Sequence, residues 1–168
     1  YRVGRQLRWI GATRRPATTL ESLSSLLLQD LSDVLDVEVR LGVLGRHDVA
    51  FIEKVPGRRP VSTFADGTSA PAHATAMGKA LLAFSLPPVV DRFLSHRLPA
   101  YTPHTITSHT HLRRALALTR RTRVAVAWRE LEPDRSGLAV PVSDGTGHVV
   151  AAVEIRVDNP SAALVARL

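Results

Sequence analysis

Residues 138–157 constrain this chain more than any other stretch. Leu138 to Val142 and Val149 to Val157 are two apolar-rich runs, and Asp144-Gly-Thr-Gly147 lies between them. Asp and Gly adopt the left-handed conformations that a tight turn demands, so the pattern predicts an antiparallel hairpin. Side chains alternate across a strand, which puts Glu154 and Arg156 on one face and Val153, Ile155 and Val157 on the other.

Other elements follow from periodicity. Val3, Leu7 and Ile10 have helical spacing, and Gly11 to Pro16 breaks that pattern. Thr18-Thr-Leu-Glu21 is a capping box, and it opens a helix predicted to turn Leu20, Leu23, Leu27, Leu31, Val34 and Leu35 toward the core. Val37, Val39, Leu41 and Val43 alternate with Glu38, Arg40 and Gly42, as in a half-buried strand. A return strand spans Val49 to Val55, and a third is expected from Val61 to the Asp66-Gly67 turn. Helices are expected from Thr75, from Pro87 to Leu94, and from Ser108 to Thr122. Arg123 to Ala127 reads as a weak strand, Glu130 to Asp134 as a loop, and Pro160 as the start of a last helix. Helices and hairpins in this order predict an α+β fold, a mostly antiparallel sheet with helices packed on its faces.

The length of 168 residues fits one hydrophobic core. No run of about 18 apolar residues occurs, so no membrane span is expected. Zero cysteines exclude disulfides and thiolate metal sites and agree with a cytosolic location. The net charge of +7 is uneven, with eight arginines and no acid between Arg92 and Arg129. That face has no aromatic interleaving and no recognition-helix pattern, so a solvated basic surface is the simpler reading than a nucleic-acid interface. No nucleophile elbow, P-loop or dinucleotide fingerprint appears. His104, His109 and His111 fit no zinc spacing, and neither metal nor cofactor is expected.

The candidate site is Pro71-Ala-His-Ala-Thr-Ala-Met-Gly-Lys-Ala-Leu-Leu-Ala83. Small residues run into a helix that Thr75 is placed to cap. Met77, Ala80, Leu81 and Phe84 form one apolar face. Small side chains around the helix start leave its N–H groups and positive dipole end open to a small anion. The alternative is tight packing of the helix on a sheet.

The segment His73-Ala-Thr-Ala-Met-Gly-Lys-Ala-Leu-Leu-Ala83 resembles the signature of the C-terminal effector-binding domain of IclR-type transcription regulators. Tyr1-Arg-Val-Gly4, Thr102-Pro-His-Thr-Ile106, Glu130-Leu131, Gly137-Leu-Ala-Val-Pro-Val142, Asp144-Gly-Thr-Gly147 and Val149-Val-Ala-Ala-Val-Glu-Ile155 match further family segments in order. The resemblance implies a GAF-like fold with a curved sheet. Residues 1–16 would be the end of a winged-helix domain and a linker helix, and 17–168 the ligand-sensing domain. The implied partners are a small-molecule effector, further copies of the chain as dimer or tetramer, and DNA only through the absent N-terminal domain. Activity as an enzyme is not implied.

By position, the implied effector-binding residues are Ala76, Met77, Gly78, Ala127, Gly137, Glu154 and Arg156. The family usually has Ser-x-Ser-Gly-Pro in its last strand, with both serines lining the pocket. Here Glu154 and Arg156 take the serine positions, and Asp158-Asn-Pro160 replaces Gly-Pro. Three readings stand: the two charges neutralise neighbours and shrink the pocket, they bind a charged or zwitterionic ligand, or they are solvated at a sheet edge. On the sensing reading, the helix tip and the closing hairpin meet around a hole sized for a metabolite. Two other readings are a small enzyme using Glu154 and a histidine, and a dimerisation domain with a degenerate pocket.

Overall fold

The computed structural model describes residues 17–57 and 68–158. The helix expected around Val3, Leu7 and Ile10, the strand from Val61 to Ala65 and the helix from Pro160 all lie outside the described residues. The elements are α1 (Ala17–Leu35), β1 (Glu38–Leu44), β2 (Asp48–Val55), β3 (Ser69–Pro71), a 3-10 turn (Ala72–Ala74), α2 (Ala76–Ala83), α3 (Pro87–Leu94), α4 (His109–Thr122), β4 (Ala125–Glu132), β5 (Arg135–Ser143) and β6 (Val149–Asp158). The strands form one curled antiparallel sheet in the order β3-β2-β1-β6-β5-β4. The last hairpin thus sits at the centre, with β6 paired to both β1 and β5.

Register assigns each face. Glu38, Arg40 and Gly42 lie opposite Arg156, Glu154 and Ala152, and these lie opposite Gly137, Ala139 and Pro141. Small residues on this face let α2 lie close. A Cβ on Gly42 would stand 2.6 Å from the Met77 sulfur. Ala76, Met77, Ala80 and Leu82 are wholly buried there, with Leu112 of α4 behind them. The other face carries Val39, Val55, Val153 and Ile155, which pack on Leu28 of α1.

Two expectations fail. Over the described part of α1 the core face is not the one predicted, because Leu28 and Ser32 are buried whereas Leu27, Leu31, Val34 and Leu35 are 41–81 % exposed; the side chains of Leu20 and Leu23 lie outside the described residues. Ser32 turns inward because its hydroxyl donates to the Val37 and Pro56 carbonyls, at 2.9 and 3.1 Å. Leucine spacing alone does not show which side meets a sheet. Nor is Glu130–Asp134 a loop, since β4 continues to Glu132 and only Pro133 and Asp134 make the turn.

β4 continues because it bulges. Ala127 pairs with Gly137 and Glu132 with Arg135, so residues 128–131 face Ser136 alone. Arg129 takes a left-handed φ of 50° within the bulge. Side chains hold it in place. The Thr102 hydroxyl donates to the Arg129 carbonyl at 2.6 Å, the Thr105 hydroxyl donates to the Glu130 carbonyl at 2.5 Å, and the Ser136 hydroxyl accepts from the Arg129 amide at 3.1 Å. The Thr105 oxygen also accepts from the Tyr101 and Thr102 amides. Thr105→Val removes the acceptor of the buried Thr102 amide and leaves the Glu130 carbonyl only a 3.5 Å contact from the Thr102 hydroxyl, and is expected to cost about 1–3 kcal/mol in urea denaturation. Thr105→Ser keeps the hydroxyl and is expected to stay close to the parent.

Candidate functional site

The N-terminus of α2 points at the central strand of the sheet. Thr75 sits in extended conformation and caps the helix, its hydroxyl accepting from the Gly78 amide at 3.1 Å and donating to the Pro71 carbonyl at 3.1 Å. The amides of Ala76 and Met77 both donate to Glu154 Oε1, at 3.0 and 3.3 Å. The first intrahelical bond runs from the Lys79 amide to the Thr75 carbonyl. The three free N–H groups of the first turn are therefore all satisfied by side chains of the protein.

Glu154 reaches the helix because Gly137, its near neighbour on β5, has no side chain. A Cβ there would stand 2.4 Å from Glu154 Oε1 and 3.2 Å from the Ala76 Cβ. Burial pushes the Glu154 carboxyl above the usual carboxylate range, while Arg156, Arg40 and the two amides oppose that shift.

A row of charges continues from this carboxylate. Arg156 Nη2 meets Glu132 Oε1 at 2.8 Å. Arg135 meets Asp158 at 2.8 Å and Glu38 at 3.4 Å, and Glu38 also holds the Arg40 Nε. The Arg40 guanidinium lies 4.9 Å from the centre of the Phe51 ring. The inner part of this row is buried, with Arg40 1 %, Glu154 3 % and Arg156 7 % exposed, and the row reaches the surface at Asp158. The solvated reading of Glu154 and Arg156 is thus overturned: Glu154 is held by the two helix amides near Arg40 and Arg156, and Arg156 by its ion pair with Glu132 of β4. Within this row Arg40 Nη2 and Arg156 Nη1 are buried without a hydrogen-bond partner.

The structure places Ala76, Met77, Ala127, Gly137, Glu154 and Arg156 together at the helix tip. Gly78 is turned away, and its missing Cβ makes room for the Ala72 backbone. Sequence reasoning missed Arg40, Glu132 and Arg135. Arg40 alternates with apolar residues as on a wet strand face, and only the register to β6 reveals otherwise; Glu132 and Arg135 flank the Pro133-Asp134 turn, and only the folded sheet brings them to Arg156 and Glu38.

The expected metabolite-sized hole is not there. The cavity between the helix tip, Arg40, Ala127, Gly137, Glu154 and Arg156 measures about 10 Å³. That is space for about one water molecule. A larger cleft of about 250 Å³ lies beyond Arg156, between Glu38, Arg135 and Asp158. Its walls end at Gly57 and Asp158, the last described residues of two segments. No group of three or more metal-binding side chains exists among the described residues, and no helix among them is long and apolar enough to cross a membrane.

Comparison with known proteins bears on this arrangement. A family model described as bacterial transcriptional regulator IclR C-terminal matches residues 16–161. SauR of Cupriavidus necator, named as a probable transcriptional regulator, is 34% identical over 134 residues, covering 78% of this chain and 53% of its own. The HTH-type transcriptional regulator XynR of Escherichia coli is 29% identical over 157 residues, covering 92% of this chain and 62% of its own. This chain thus spans between half and two thirds of the length of either relative. An IclR homolog of Microbacterium hydrocarbonoxydans, crystallised with 4-hydroxybenzoate, superposes with a TM-score of 0.81 at 29% identity, covering 96% of this chain and 67% of that one. The matched family and relatives are regulators and not enzymes. That leaves no support for a catalytic Glu154, whose carboxylate is committed to the helix amides.

Proposed function

We propose that this chain, which belongs to the IclR family of bacterial transcriptional regulators and forms their C-terminal domain, senses a small organic effector, associates with copies of itself, and passes its state to a DNA-binding winged helix in the full regulator. The observation that carries this reading is the buried polar contact between the α2 tip and Glu154 of β6. A new occupant there acts on a helix laid across the centre of the sheet. Sensing requires that the effector bind two arrangements with different affinities, because equal binding shifts nothing. The neighbour crystallised with 4-hydroxybenzoate supports a small organic ligand for this domain type. An effector enters the tip only if the Glu154 and Arg156 side chains move, since the present space is about 10 Å³. For self-association the support is α1, whose Leu26, Leu27, Leu31 and Val34 are 41–81 % exposed. The working location on this reading is the cytoplasm, where the DNA is.

A second reading is favoured by the filled pocket: a self-associating domain whose effector site is degenerate. Thermal-shift screening of small acids, sugars and aromatics, with sedimentation of the same samples, separates the two. A ligand that raises the melting temperature supports sensing. Self-association at micromolar concentration with no responding ligand supports the second reading. A monomer that answers to nothing retires both.

A further inference from the structure

We infer that Glu154 is a built-in occupant of the anion site at the tip of α2, so that a free carboxylate binds there only once Glu154 is shortened. The tip has the features of an anion site: consecutive amides aimed at one point and the positive end of a helix dipole. That point is taken by Glu154 Oε1, at 3.0 Å from the Ala76 amide and 3.3 Å from the Met77 amide. Gly137 provides the room for it, since a Cβ there would lie 2.4 Å from the oxygen.

The surroundings suit a carboxylate independently of the helix. Arg40 is the cross-strand partner of Glu154, and Arg156 lies two residues along the same face. Each keeps one guanidinium nitrogen without a partner, Arg40 Nη2 and Arg156 Nη1, and both residues line the cavity of about 10 Å³ beside the carboxylate. Glu154 is more than nine-tenths buried, as are both arginines. A carboxylate of any origin would find donors on two sides; the covalently attached one is always present at high effective concentration. A free carboxylate would also put a second negative charge against Glu154.

For the proposed sensing role, and resting on it, the consequence is a ligand class: an effector of the parent protein delivers no carboxylate to the α2 tip. Glu154→Ser shortens the side chain and leaves the amides and both arginines in place. Glu154→Gln keeps the side chain and an oxygen acceptor without the charge. Formate and acetate are the probes, with sodium chloride at equal ionic strength as the reference. The serine variant is expected to bind formate with a Kd on the order of millimolar. At tenfold that concentration its melting temperature should rise by roughly 3–6 °C. The parent and the glutamine variant should respond no more to formate than to chloride. If the serine variant does not fold in chloride, formate-dependent recovery of soluble protein is the same readout, and equal failure in both salts overturns the inference. So does formate stabilisation of the parent, or a serine variant that treats formate as chloride. Failure of the effector screen leaves the formate result standing, so the two claims fall separately.

Discussion

Replacing Lys79 by methionine is expected to destabilise the domain by about 3–5 kcal/mol, read from the urea midpoint at constant m-value. Lys79 is 1 % exposed on α2, and its ammonium donates to the Glu130 carboxylate and, at 3.0 Å, to the Val126 carbonyl. Burial pulls its pKa down, and Glu130 opposes that shift. Methionine fills the same volume, so packing changes little. What remains is a carboxylate 5 % exposed whose other oxygen accepts only a long bond, 3.4 Å, from the Ile106 amide. A stranded buried charge costs more than a lost pair gains. Glu130→Gln added to Lys79→Met removes that charge and should recover a large part of the loss. Additive costs in the double variant would show that the lysine acts independently of Glu130, through its bond to the Val126 carbonyl. The pair also locates its own damage, because Lys79 and Thr105 hold neighbouring parts of the β4 bulge.

Gly78→Ala should destabilise by about 3 kcal/mol or more, the reverse of what helix propensity favours. In an open helix, alanine gains about 1 kcal/mol over glycine. Here the added Cβ would lie 2.1 Å from the Ala72 carbonyl oxygen and 2.4 Å from the Ala72 Cα. Those are backbone atoms of the 3-10 turn that leads into α2. They cannot yield as a side chain does, and Ala72 and Ala76 have no exposed surface through which the strain could relax. Gly145→Ala is the control: nothing lies within 4 Å of its Cβ position. Its effect should stay within about 0.5 kcal/mol. A Gly78→Ala protein that melts with the parent would mean that α2 and the turn separate easily.

Much of the fold was legible because its signals are local. The Asp144-Gly-Thr-Gly147 turn sets the last hairpin, Ser108 caps α4 by accepting from the His111 amide, and Thr75 caps α2. These motifs answer to backbone groups a few residues away. The inward side of α1 was read wrongly for the complementary reason. Five of its large apolar residues are exposed while Ser32 is buried, and the choice depends on the Val37 and Pro56 carbonyls.

By itself the sequence determined the family, the first and last hairpins with the helices between them, and that Glu154 and Arg156 share one face of the closing strand. Whether that face is wet or dry was decided only by the tertiary structure. The alternation of Glu38 and Arg40 with valines in β1 suits a solvent-facing side equally well until β6 is laid beside it in register. A charge is tolerated inside when its countercharge arrives from another strand or helix. The contacts that fill this pocket, from Ala76 to Glu154 and from Glu132 to Arg156, join residues far apart in the chain. No local pattern encodes such distances, and so the size of the pocket could not be read before the strands were paired.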